Sequence, residues 1–199
     1  MTNPDTSKDI ASVYRFLAQC MEYPDRSWMS KDFFQALDHL LEQLGGQDEK
    51  EAIHTALDNP GDFADFIEDL QVEYTRLFIN GIPHLVAPPY GSVYMDKSLQ
   101  GKFAGDTLAF YREKGFAMGE KADLPDHLIH ELEFLSLLAS ESDHDGEALF
   151  LKKFFRPWFG EFHRRVTLET HHPYFRVISQ LIDFFTKEDD NNGFQPNPA

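Results

Sequence analysis

Asp62-Phe63-Ala64-Asp65-Phe66-Ile67-Glu68-Asp69-Leu70-Gln71-Val72-Glu73-Tyr74-Thr75-Arg76-Leu77-Phe78 sets the fold class. Phe63, Phe66, Ile67, Leu70, Tyr74, Leu77 and Phe78 recur at steps of three and four, the spacing of one apolar stripe along an α-helix. Asp62 is placed to cap the first turn, with Asp65 three residues on in a capping-box-like arrangement. Asn59-Pro60-Gly61 interrupts the chain before this helix and Asn80-Gly81 stops it.

The same period runs outward in both directions. Ile10, Val13, Tyr14, Leu17, Cys20 and Met21 mark a first helix that Pro24 ends. Ser30 caps a second, with Phe33, Phe34, Leu37, Leu40, Leu41 and Leu44 on its inner face and Gly45-Gly46 as its stop. Residues 47–58 are polar and fit a short helix or a loop. Beyond the central segment, helices are expected over Gly105–Lys114, over Pro125–Ala139 with Asp123 as cap, and over Asp145–Phe155. Pro157 opens another, and a last one starts at Pro173 with Phe175, Ile178, Leu181, Ile182 and Phe185 inward. No segment holds a period of two between hairpin signals, and only Val93-Tyr94-Met95 is expected to be briefly extended. The expected architecture is all-α, a single-domain orthogonal bundle of roughly eight to ten helices. It covers residues 1–186, with the polar stretch 187–199 as a disordered tail.

Composition narrows the function. The 19 phenylalanines supply an aromatic core, and the single cysteine, Cys20, excludes an internal disulfide and a Cys-rich metal site. Cys20 falls among apolar residues and is expected to be a buried thiol. The N-terminus has neither the basic nor the apolar region of a secretory signal, and no apolar run spans a bilayer, so a cytoplasmic location is expected. A net charge of −16 repels nucleic acid and anionic membranes and attracts basic peptides.

Residues 82–91, Ile-Pro-His-Leu-Val-Ala-Pro-Pro-Tyr-Gly, hold three prolines and are apolar, which no helix interior accommodates. A loop of this kind either packs down as a strap or lines a groove.

Nucleotide-binding and hydrolase motifs are absent: there is no Walker A loop, Gly-x-Gly-x-x-Gly, His-Glu-x-x-His or Gly-x-Ser-x-Gly. Glu-x-x-His occurs twice, at Glu51–His54 and Glu169–His172, the pattern of a diiron site if Glu22 and Glu131 or Glu133 completed it. The first copy lacks an apolar face and the second ends against Pro173, so the pattern weighs little. No catalytic residue, metal or cofactor is assigned.

Three stretches carry a more specific signal: Glu73-Tyr74-Thr75-Arg76-Leu77-Phe78, Pro88-Pro89-Tyr90-Gly91-Ser92-Val93-Tyr94-Met95-Asp96, and Pro125-Asp126-His127-Leu128 followed by Glu131-Leu132-Glu133-Phe134-Leu135. Their order and spacing resemble the TorD/DmsD family of cytoplasmic chaperones for molybdenum reductases, over roughly residues 60–185. Tyr111–Phe116 and His172–Phe175 also look like that family, whereas Tyr90 departs from it, many members carrying Trp after the prolines. The resemblance implies an all-helical non-enzyme. It implies a protein that binds the precursor of a molybdopterin-dependent reductase, often by its twin-arginine leader, until the cofactor is inserted. The peptide-binding residues it points to are Tyr74, Leu77, Phe78, Pro88, Pro89, Tyr90, Ser92, Tyr94, Asp126, His127 and Glu131. An acidic helical scaffold or adaptor is the other reading. Neither the client nor a choice between monomer and dimer follows from the sequence.

Overall fold

A computed structural model describes residues 4–58, 62–81, 85–119 and 122–187 of the chain. The break at Asn59-Pro60-Gly61, the start of the apolar loop at Ile82-Pro83-His84 and the tail beyond Lys187 lie outside the described residues. Among the described residues all regular structure is helical, and the only β-type pairing is a single bridge between Tyr90 and His127. The contacts group into two units, and the division falls within the last two helices.

One unit comprises residues 1–22, 88–164 and 181–186. Its spine is α7 (Leu128–Ser140), buried nearly all round through Leu128, Leu132, Phe134, Leu135, Leu138 and Ala139. Against it lies α1 (Pro4–Cys20), and the Ser136 hydroxyl donates to the Ala11 carbonyl at 2.8 Å, where small side chains let the backbones approach. An aromatic layer continues through α6 (Lys102–Glu113) and α8 (His144–Phe150). Tyr111 stands 4.4 Å from Phe134, and Phe134 stands 4.8 Å from Phe150. After α8 the chain widens into a π-helical turn, Leu151–Phe155, and then resumes as α9 (Arg156–Glu169). Pro157 has no N–H to give, and its ring crowds the carbonyl four residues back in a regular helix. The wider turn just before it removes that conflict, so the expected break at Pro157 becomes a change of helix type without a loop.

The other unit comprises residues 23–87 and 165–180. It holds α2 (Lys31–Leu44), α3 (Gln47–Asp58), α4 (Phe63–Tyr74) and the first turns of α10 (Pro173–Thr186). The caps stand where the sequence placed them. Ser30 accepts from the Phe33 N–H at 3.3 Å, and Asp62 accepts from Ala64 and Asp65 at 2.6 and 3.1 Å. Gly45 ends α2 at φ +76°, a left-handed conformation that suits a residue without Cβ, and Gly46 donates to the Leu41 carbonyl at 2.8 Å. Polar residues 47–58 form a full helix, whose Ile53 is buried.

Three expectations are corrected. The central amphipathic helix stays α only to Tyr74, and Thr75–Ile79 is π-helical. Val93-Tyr94-Met95 is not extended but lies in a short helix, α5 (Gly91–Met95). The helix expected from Pro125 begins at Leu128 and is capped by His127, not by Asp123. His127 is drawn into extended backbone (φ −73°, ψ 135°) by its bridge to Tyr90, which delays the helix.

Candidate functional site

The Pro-rich stretch and the start of α7 are fastened to each other by their backbones. Gly91 N–H donates to the Asp126 carbonyl and Leu128 N–H to the Pro89 carbonyl, both at 2.9 Å. Side chains tighten the joint. Asp126 Oδ2 accepts from the Ser92 N–H at 2.6 Å, and the Tyr90 hydroxyl donates to Asp123 Oδ2 at 2.9 Å. The Tyr90 ring meets the His127 ring edge-on, with centroids 4.9 Å apart. Gly91 is required by space alone. A Cβ there would lie 2.5 Å from Phe103 Cε1 and 2.9 Å from Trp158 Nε1.

His127 is a neutral cap. Its Nδ1 accepts from the Ile129 N–H at 3.2 Å, which a protonated ring cannot do. Burial lowers its pKa to about 4, with Asp123 acting against the shift and His130 with it. The positive end of the helix dipole disfavours the cation in the same sense. Below this cap lies a pair of fully buried acids, Asp126 and Glu131. Glu131 Oε2 accepts from the Trp158 indole N–H at 3.1 Å. Burial raises the Glu131 pKa well above the ordinary glutamate value; the indole bond opposes this and the Asp126 charge adds to it. Among the described residues, Asp126 Oδ1, Glu131 Oε1 and Ser92 Oγ have no hydrogen-bond partner.

Of the expected peptide-binding residues, Pro88, Pro89, Tyr90, Ser92, Tyr94, Asp126, His127 and Glu131 share this unit. Only Tyr90 and Tyr94 are half-buried; the other six are buried. Tyr74, Leu77 and Phe78 belong to the other unit and are core residues there. Tyr74 and Phe78 rings lie 4.9 Å apart, and Phe78 packs edge-on against Phe175 at 5.5 Å. Leu77 offers its carbonyl to the Ala87 N–H at 2.9 Å, which ties the end of the apolar loop down as a strap. Sequence spacing missed Asp123, Trp158 and Tyr111 as parts of the first constellation. Trp158 lies 27 residues from Glu131, and no local pattern links them.

Arg76 is an ion-pair partner within its unit. Its guanidinium binds Glu73 through two bonds of 2.7 and 2.9 Å and reaches the Glu169 carbonyl. Glu73 also accepts from Thr170 Oγ1 and the His171 N–H, at 3.1 and 2.6 Å. Burial alone would raise the Glu73 pKa, but the Arg76 pair and the other donors outweigh it, and the net shift is downward. Arg76→Lys therefore loses the fork geometry and is expected to cost about 1 kcal/mol in denaturant unfolding. An unchanged midpoint would show that the second bond contributes nothing.

A cleft of about 480 Å³ in the same unit is lined by Phe34, Leu57 and Phe63, with Lys31, Gln35, Asp38 and His54 around them. No expected site residue lines it. The glutamates of both Glu-x-x-His motifs, Glu51 and Glu169, are exposed. Among the described residues no three His, Cys, Asp or Glu side chains are grouped to hold a metal. No described helix is long and apolar enough to cross a membrane.

A family profile described as nitrate reductase delta subunit matches residues 47–164, more than half of the chain. The chain belongs to the nitrate reductase delta-subunit family. The TorD/DmsD-type chaperones that the sequence resembles are of this family type, and its proteins serve the maturation of redox enzymes. The delta-subunit match spans the whole fastened constellation, from Pro88 to Trp158. Among solved structures, a proposed redox enzyme maturation protein from Archaeoglobus fulgidus is similar at a TM-score of 0.61 and 28% identity, over 89% of this chain and 94% of that one. No curated protein sequence matches.

Proposed function

We propose that this delta-subunit family member is a cytoplasmic, non-catalytic chaperone that binds the precursor of a molybdopterin-dependent reductase through its twin-arginine leader and holds it until the cofactor is inserted. The observation that carries the reading is the joint between Pro88–Ser92 and Asp126–Leu128. Two of the three stretches behind the family resemblance meet there, around an aromatic pair and two buried acids. A leader with a basic start and an apolar stretch asks for acid beside apolar surface, and the net charge of −16 favours its encounter. Tyr90 and Tyr94 have side-chain surface to offer a peptide, while Pro88, Pro89, Ser92, Asp126, His127 and Glu131 hold them in place.

Calorimetric titration with a synthetic twin-arginine leader peptide tests the proposal. Binding is expected to saturate, to weaken with salt without vanishing, and to fail when both arginines are replaced by glutamine. Tyr90→Ala is expected to cost about 1–2 kcal/mol of binding, in the range of an interface anchor, while the fold survives. Equal binding of both peptides would point instead to an acidic adaptor. A Tyr90→Ala variant that melts early but binds normally would make Tyr90 structural.

A further inference from the structure

We infer that the cleft between α2, α3 and α4 binds a small amphiphile made of one apolar body and one carboxylate, the class of a medium-chain or aromatic carboxylic acid. None of the residues fastened at Tyr90 lines this cleft, and the inference does not rest on the leader-binding reading.

The walls follow from helical spacing. Lys31, Phe34, Gln35 and Asp38 fall at i, i+3, i+4 and i+7, so a single face of α2 lines the cleft from its first turn onward. His54 and Leu57, three apart on α3, supply a second wall, and Phe63 joins them from the first turn of α4. The apolar part is largely aromatic. Phe34 meets Phe63 edge-on at 6.1 Å and Phe66 at 5.8 Å, while Phe63 stacks on Phe66 at 6.2 Å. These contacts fix the Phe63 ring, yet 40% of that residue stays exposed. A fixed, exposed ring beside a cavity is surface that an apolar ligand can cover. The volume of about 480 Å³ is that of a small-molecule site, and too small for a folded partner.

The charges on the lining select the head group. Asp38 is the one acid that lines the cleft, and the protein already meets its charge. His54 Nε2 lies 2.9 and 3.0 Å from its two carboxylate oxygens, and the Lys50 ammonium stands 3.8 Å away. Lys31 is different. It is exposed, and among the described residues it has no ion pair. Gln35, one turn on along the same face, has no side-chain hydrogen bond among them, so its amide is a second donor available to a carboxylate. Lys31 is also the first residue of a 14-residue helix, where the positive end of the dipole favours an anion. The neighbouring acids do not cancel this arrangement. Asp32 stands about 100° round the helix from Lys31, Asp58 does not line the cleft, and Asp62 Oδ1 is committed to the cap of α4. In a chain of net charge −16, the lining thus offers an anion an unpaired cation and a cation no free acid.

The test is titration of the full chain with decanoate, decanol and decyltrimethylammonium, each below its micelle concentration. Binding is followed by calorimetry and by the NMR signals of the Leu57 methyls and the Phe34 and Phe63 rings. Decanoate is expected to saturate these signals. It should bind roughly three- to fivefold tighter than decanol, the gain of one partly exposed ion pair, with the ammonium weakest. Lys31→Gln changes an exposed side chain and should leave the melting temperature and decanol binding unchanged, while decanoate falls to the level of decanol. Equal binding of decanoate and decanol, preference for the ammonium, or unchanged decanoate affinity in Lys31→Gln would overturn the carboxylate assignment. Binding that does not saturate, or shifts spread along the chain, would overturn the site. Displacement of decanoate by the leader peptide would overturn its independence from the leader. A protein that binds leader peptide but no decanoate loses this inference alone.

Discussion

Glu131→Gln is expected to make the protein more stable at neutral pH, although it alters a fully buried side chain. The amide reproduces the neutral acid. Its oxygen can accept from the Trp158 indole as Glu131 Oε2 does at 3.1 Å, and its NH₂ stands in for the carboxylic O–H. The sign follows from the direction of the shift. Glu131 has a folded pKa well above its ordinary 4.5, so above that pH the unfolded chain loses a proton that the folded protein keeps. Its stabilising contribution is complete below the unfolded pKa and is lost as pH rises through the folded one. The variant has no such proton. Its advantage should be absent near pH 4 and grow by up to about 1.4 kcal/mol for each pH unit above the unfolded value, until the folded carboxyl itself ionises. Urea unfolding of both proteins at a series of pH values checks this. Parallel stability curves would mean that Glu131 does not carry the proton.

Gly91→Ala is expected to be among the most damaging single-methyl additions in the chain, at roughly 3 kcal/mol, the upper range for overpacking. The added Cβ would stand 2.5 Å from Phe103 and 2.9 Å from the Trp158 indole nitrogen. Both rings are buried, and the indole is already committed to Glu131. Relief would have to come from the backbone, through the Gly91–Asp126 and Leu128–Pro89 bonds that hold the joint. The loss should therefore appear in leader binding as well as in melting. Gly105→Ala is the matched control. That glycine lies inside α6 with nothing within 4 Å of its would-be Cβ, so the substitution should stabilise by about 0.5–1 kcal/mol. If the two variants melt alike, the close approach at Gly91 does not govern the joint.

Much of the helical layout was legible because its causes are local. Apolar spacing along residues 66–74, the Ser30 and Asp62 caps and the Gly45 stop depend on neighbours within a turn or two, and each appears as read. The errors fall where distant groups override local preference. Asp123 satisfies the rules for a cap, yet it holds Leu124 N–H and the Tyr90 hydroxyl, because a bridge from a segment more than thirty residues away keeps His127 extended. Val93–Met95 has a strand-like composition but follows Gly91, whose tight packing on Phe103 and Trp158 starts a helix there. The π turns at Thr75–Ile79 and Leu151–Phe155 have no periodic signature in the apolar pattern.

The sequence by itself determined an all-α chain, its acidic charge and its family, since helical period, composition and motif spacing are properties of the string. Only the tertiary structure decided that Asp126 and Glu131 are both fully buried, that the Trp158 indole binds one of them, and that Leu77 and Phe78 are packed in a core. Burial is set by what other segments bring to a position. Two acids five residues apart carry no local sign of the burial that other segments impose on them.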